Sequence, residues 1–358
     1  METRMKTRLL QTILLAGALF ASCAGDREIT LSASDPHITY MGRTAVTPDG
    51  NVAFNYPGVT ALLDFEGDSV AMLTSPGSGS WMVEIDSMAP VRINVGATDS
   101  VITLGRDLGP GVHRARVAYC IEGYEHHPEI RGFRLPSGAT VHPAPVKGGL
   151  KMEFIGNSIT CGYGTEADSA QVHFSYDTEN HCLGYAYLTA RALDADFNMV
   201  CRSGIGMYRN YNGPREGNDK ETMPLEYDYT MLYDHSQPWD FGRFTPDVVC
   251  INLGTNDTST SNYDIDLYEQ AYGRFLDRVR ANYPEAKIVL LTGSMLSGRE
   301  LADVTGALDR LASSRQGVYR FDMTPEDGSM GYGADYHPSR ARAARMAEEL
   351  TAYLRTII

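Results

Sequence analysis

Four short polar blocks of the chain carry groups that acyl transfer requires. Gly156-Asn157-Ser158-Ile159-Thr160 sets a serine on a glycine-led turn behind the apolar run Lys151-Met152-Glu153-Phe154-Ile155, a setting that can expose Oγ beside a backbone N–H. Ser203-Gly204-Ile205-Gly206 and Gly254-Thr255-Asn256-Asp257 each follow a later apolar run and bring a glycine N–H and a side-chain amide. Asp335-Tyr336-His337-Pro338-Ser339 supplies a carboxylate and an imidazole just ahead of the last helical segment. A lone Gly-x-Ser is common in turns; the pattern of the four blocks is what points to chemistry. Serine is a poor nucleophile at neutral pH unless a neutral imidazole takes its proton, and the charge that develops on the attacked carbonyl needs preorganised N–H donors.

The elements that must position these blocks are legible from periodicity. Strands read at Lys151–Ile155, Phe197–Arg202, Asp247–Leu253 and Lys287–Thr292, and helices at Tyr185–Leu193, Asp266–Ala281, Leu301–Ser314 and Arg340–Ile358. Strands alternating with helices predict a parallel sheet covered on both faces, with ligands bound beyond the carboxyl ends of its strands. The N-terminal half differs. Short alternating runs at 59–65, 70–73, 81–85, 91–95 and 113–119, cut by Gly, Asp, Pro and Ser, read as an antiparallel β-sandwich. Periodicity alone does not choose between a jelly roll and an immunoglobulin-like sandwich. His142-Pro143-Ala144-Pro145-Val146-Lys147-Gly148-Gly149 breaks the texture as a linker would. The expected division is a signal segment 1–22, a tether 23–41, a β-sandwich 42–140, a linker 141–149 and an α/β domain 150–358.

Length and composition agree with two domains, since 358 residues exceed one ordinary core and 43% hydrophobic residues can fill two. A formal charge of −14 opposes any general grip on nucleic acid or anionic lipid. Arg4, Lys6 and Arg8 ahead of the apolar run Leu9 to Phe20 mark a signal peptide, the run being too short for a transmembrane helix. Phe20-Ala21-Ser22-Cys23 resembles a bacterial lipobox, which makes Cys23 the lipidated first residue and the anchor the chain's one link to a membrane; an ordinary secretory signal is the alternative. Either way the context is extracytoplasmic: periplasm, outer membrane or cell surface. Of the remaining cysteines, Cys201 and Cys250 sit in apolar strands and read as core, while Cys161 and Cys182 leave a disulfide open. No C-x-x-C spacing suggests structural zinc, and His126-His127 has no third ligand nearby.

In this order, the four blocks resemble the SGNH/GDSL hydrolase superfamily, from about Lys151 to the C-terminus. That resemblance implies a flavodoxin-like three-layer α/β fold. It makes Ser158 the nucleophile, assigns the oxyanion hole to the N–H groups of Ser158 and Gly204 and the amide of Asn256, and makes His337 the general base with Asp335 its orienter. Here the pair reads Asp-x-His where the superfamily commonly has Asp-x-x-His. Either the Asp335 carboxylate or its main-chain carbonyl then orients the imidazole, giving a triad or a Ser-His dyad.

Longer strings, Gly156 to Gly164, Thr178-Glu179-Asn180 and Ser203 to Gly206 with Arg209-Asn210-Tyr211, look like carbohydrate esterase family two. Gly42-Arg43, Gly111-Val112-His113 and Glu122-Gly123 resemble the jelly-roll domain that precedes the hydrolase domain there. The resemblance implies removal of O-acetyl groups from xylan, glucomannan or their oligosaccharides through an acetyl-enzyme, with no cofactor and no metal. Tyr336 and Trp239 are candidate sugar-contacting aromatics, each weighed against plain packing. The competing readings are a lipase- or thioesterase-like acyl hydrolase, and a carbohydrate-binding protein whose hydrolase domain is inactive.

Overall fold

The computed structural model describes residues 27–358; the signal segment and Cys23 lie outside the described residues. The N-terminal part is two six-stranded antiparallel sheets. One runs in the order Ala45–Val46, Val52–Ala53, Glu129–Leu135, Val70–Thr74, Val101–Gly105, with Ile29–Ser32 added on Glu129–Leu135. The other runs Thr140–Val141, Thr60–Glu66, Val112–Tyr119, Gly79–Ile85, Val91–Val95, with Thr39–Met41 on Thr60–Glu66. Alternation explains the arrangement: Val70 and Met72 of Val70–Thr74 and Trp81, Val83 and Ile85 of Gly79–Ile85 point inward at every second position, and Phe54, Trp81 and Tyr119 meet edge to face at 5.0–5.7 Å in the core. Part of the expected tether, 23–41, therefore pairs into the sheets. Its two strands are only four and three residues long, too short to register as periodic sequence.

The second part is a five-stranded parallel sheet in the order Asp196–Cys201, Lys151–Gly156, Val248–Asn252, Lys287–Thr292, Val318–Asp322. Helices Tyr185–Ala192 and Arg340–Leu354 pack together on one face, and Ile265–Asn282 and Gly298–Ser313 on the other. The first strand lies between the second and the third, so the chain leaves it in opposite directions. That is the switch point where a crevice opens beyond the strand ends. The loops carrying Ser158, Gly204 and Asn256 leave these three adjacent strands, which places all three at the crevice. Periodicity does not reveal strand Val318–Asp322, because it carries Arg320 and Asp322 and is half-exposed, so no apolar run announces it.

The two parts share a continuous apolar core that runs from Leu63 and Trp81 through Phe154 and Tyr185. Arg43 joins them from the polar side. Fully buried, it ion-pairs with Glu153 on the first parallel strand at 3.3 Å and donates to the carbonyls of Tyr227 and Tyr229 at 2.6 and 2.9 Å. Its guanidinium also lies over the rings of Tyr227 and Trp239 at 5.0 and 4.8 Å.

Candidate active site

Ser158 opens a four-residue helix, Ser158–Cys161, behind the first parallel strand. The Asn157 side chain caps it by accepting from Ile159 N–H, which fixes the serine at the strand-to-helix bend. Oγ of Ser158 lies 2.8 Å from Nε2 of His337 although the two are 179 positions apart in sequence. The serine is only 7% exposed, at the floor of a cavity of about 650 Å³ that Gly204, Asn256, Tyr163 and Tyr211 also line. Gly204 sits in a left-handed turn, φ +77°, and the Asn256 amide donates to the carbonyl of Ile205 at 2.7 Å, tying the third loop to the second. Asp257 completes that tie, its carboxylate accepting from the N–H groups of Met207 and Tyr208. It shapes the loop and faces away from the chemistry.

The imidazole is held through main-chain oxygens. Nδ1 of His337 faces the carbonyls of Ala334 and Asp335 at 3.1 and 3.2 Å, so Nδ1 carries the proton and Nε2 is left as the acceptor toward Ser158. The Asp335 carboxylate looks the other way. It accepts from Tyr163 OH at 2.7 Å, His173 Nδ1 at 2.8 Å and Phe174 N–H at 3.0 Å. Burial opposes its charge, but these bonds outweigh it and hold the carboxyl below its ordinary value. They also restrain strained backbone, since Asp335 and Tyr336 both have left-handed φ, +48° and +62°. Gly164 makes the approach possible: a Cβ there would meet the backbone N of Ala334 at 2.6 Å, and its carbonyl accepts that N–H.

Tyr163 reinforces the base from its face, its ring stacked on His337 at 4.0 Å and on Phe174 at 4.5 Å. Burial pushes the His337 pKa down to about 4, the carbonyls of Ala334 and Asp335 opposing it only in part. The imidazole is therefore neutral at pH 7, as proton transfer from Oγ to Nε2 requires. Sequence reasoning does not find Tyr163, His173 and Phe174. Tyr163 stands inside the Gly162-Tyr163-Gly164 string, but nothing in a sequence shows which ring will stack on the base.

Of the two aromatic candidates, Tyr336 is 57% exposed beside the base and packs on Tyr332 at 5.5 Å. Trp239 is 5% exposed and clamped between Arg43 and Arg243, outside the cavity lining, as the plain-packing alternative expects. A Cys161–Cys182 disulfide is not formed. All five described cysteines are free and buried.

A buried serine and a neutral imidazole at the switch point of a parallel sheet define a serine hydrolase of the SGNH type. The GDSL-like lipase/acylhydrolase family model matches residues 154–348, and the carbohydrate esterase 2 N-terminal model matches 40–145. The chain belongs to family two of the carbohydrate esterases. It is 32% identical to an acetylxylan esterase / glucomannan deacetylase of Cellvibrio japonicus, over 98% of this chain and 99% of that protein. It is 36% identical to the cellulase/esterase CelE of Acetivibrio thermocellus over 90% of this chain, but spans only 39% of that longer protein. Among solved structures, a family two carbohydrate esterase from Clostridium thermocellum in complex with cellohexaose superposes with a TM-score of 0.82 at 34% identity, covering 89% of this chain and 98% of that one.

Proposed function

We propose that the protein removes O-acetyl groups from plant polysaccharides such as xylan or glucomannan by a Ser158–His337 dyad. The 2.8 Å contact between Oγ and a neutral Nε2 inside the cavity carries the reading. His337 takes the Ser158 proton as Oγ attacks the acetyl carbonyl. The oxyanion is held by the N–H groups of Ser158 and Gly204 and the amide of Asn256. His337 then hands the proton to the departing sugar oxygen, leaving an acetyl-enzyme. A water molecule, deprotonated by the same imidazole, releases acetate and restores the serine. The main-chain carbonyls of Asp335 and Ala334 stabilise the imidazolium in each half-reaction, a role in which the Asp335 carboxylate takes no direct part.

An acetylated glycan would reach the cavity past the exposed rings of Tyr211 and Tyr336, the latter as a sugar platform. The same reading gives the N-terminal sheets a jelly-roll topology, extends that domain to 29–141 beside a hydrolase domain of 150–358, and puts the enzyme outside the cytoplasm with Cys23 as its lipid anchor. The relatives named for acetylated glycans support the substrate class. The test is Ser158→Ala assayed on acetylated xylan and glucomannan with acetate release as the readout. A folded variant without turnover is expected, and turnover at the wild-type rate would overturn the assignment.

A further inference from the structure

Glu122 belongs to the N-terminal sheets by sequence but reaches the catalytic loops. It follows strand Val112–Tyr119 and is buried. Its Oε1 accepts from Ser203 N–H at 2.8 Å, and its own N–H donates to Oε2 of Glu179 at 3.2 Å. Two residues earlier the Cys120 carbonyl accepts from His181 N–H at 2.7 Å, so this strap is stitched to the hydrolase loops on both sides.

Ser203 is the second residue of a turn closed by Ile205 N–H on the Arg202 carbonyl, with Gly204 third at φ +77°, as a type II turn requires. The peptide that presents Gly204 N–H is the central one of that turn. It is flanked by two pinned peptides: Glu122 holds the one before it through Ser203 N–H, and Tyr211 N–H holds the one after it through the Gly204 carbonyl at 2.8 Å. A central peptide next to glycine has little steric barrier to reorienting, so its direction depends on those flanks. We propose that Glu122 is a positioning residue through which the N-terminal domain fixes the oxyanion-hole peptide of Gly204.

The surroundings suit that task. Glu179 is fully buried against Glu122, and two buried carboxylates in contact do not both ionise. Burial pushes both up, and the neighbouring Glu122 charge pushes Glu179 the further, while Arg202 favours charge on Glu122. Of the pair, charge is therefore favoured at Glu122, and a charged carboxylate is the stronger acceptor for Ser203 N–H.

This inference rests on the oxyanion assignment of the proposed function. Its test compares Glu122→Gln, Glu122→Ala and Glu122→Asp, with kcat measured per titrated active site so that unfolded protein does not count. Gln keeps an oxygen in reach of Ser203 N–H and is expected within about threefold of wild type. Ala removes the acceptor and Asp withdraws it by one methylene. Both are expected to lose about 10- to 100-fold in kcat with little change in KM, somewhat less than deleting an oxyanion donor outright. If Ala does not fold, Asp decides the matter. Wild-type kcat per site in the Ala or Asp variant, or a Gln variant as impaired as Ala, would overturn the proposal. Asn256→Ala run alongside separates the two ideas: if it leaves kcat intact, the oxyanion assignment fails, and if it lowers kcat while Glu122 variants do not, only the role of Glu122 fails.

Discussion

Replacing Asp335 by Asn distinguishes a dyad from a triad by orders of magnitude. The carboxylate accepts three hydrogen bonds, from Tyr163, His173 and Phe174, and none from His337. An asparagine in the same rotamer keeps its oxygen toward Tyr163 and Phe174 and turns its amide toward His173, whose ring presents Nδ1 as an acceptor in its other tautomer. No partner is orphaned; only the charge assistance is lost. Charge-assisted bonds are about twice as strong as neutral ones, and a neutral bond contributes about 1 kcal/mol net; the His173 ring is solvent-exposed and its bond contributes little, so losing the charge on the other two weakens the loop by about 2 kcal/mol. Each tenfold change in rate corresponds to about 1.36 kcal/mol and only part of the weakening reaches the barrier, so kcat should fall by no more than about 20-fold. Asp335→Ala strips all three bonds and frees two left-handed residues whose strain costs about 1–3 kcal/mol each. The carbonyl that faces His337 Nδ1 would then move, and a loss of about 10²–10³ is expected. Steady-state deacetylation with both variants, beside their thermal unfolding, provides the comparison. A loss near ~10⁴ in the Asn variant with an unchanged fold is what a carboxylate-oriented triad shows, and would refute the reasoning.

Two further outcomes follow from the geometry. The base works neutral and burial lowers its pKa to about 4, so kcat/KM should stay high on the acid side of neutrality and halve only near pH 4; a midpoint at the ordinary 6.5 would contradict the buried imidazole. Arg43→Met should lower stability to urea by about 3–5 kcal/mol because it strands the Glu153 charge between the two parts of the molecule, and adding Glu153→Met should recover most of the loss. A shift below about 1 kcal/mol in the single variant would contradict a buried ion pair between Arg43 and Glu153.

The four chemical blocks are readable in the sequence because each of the first three lies where a run of apolar residues stops, and a parallel strand buried on both faces is nearly continuous in apolar sequence. Lys151–Gly156 and Val248–Asn252 are of this kind, so composition alone marks the loops that follow them as strand ends. The sandwich is legible only where strands alternate over about five residues or more. Glu129–Leu135 is hidden because Arg131, Gly132 and Arg134 interrupt its apolar residues at a bulge. Trp239 is undecided in sequence because a large aromatic in a long polar loop has the same signature whether it meets a ligand or, as here, an arginine from the other domain.

Residue types and their order along the chain are enough to define the chemistry of this protein, namely a serine, an imidazole and amide donors set among alternating strands and helices. Those groups depend on side-chain identity and on local turns, which the chain specifies over a few positions. Which atom of Asp335 faces His337 is a tertiary decision, since one backbone can present either its carboxylate or its carbonyl until Tyr163, His173 and Phe174 claim the former. The reach of the N-terminal domain into the site is decided the same way. Glu122 and Ser203 are 81 positions apart, and only the shared core of the two parts brings a carboxylate from one to the turn of the other.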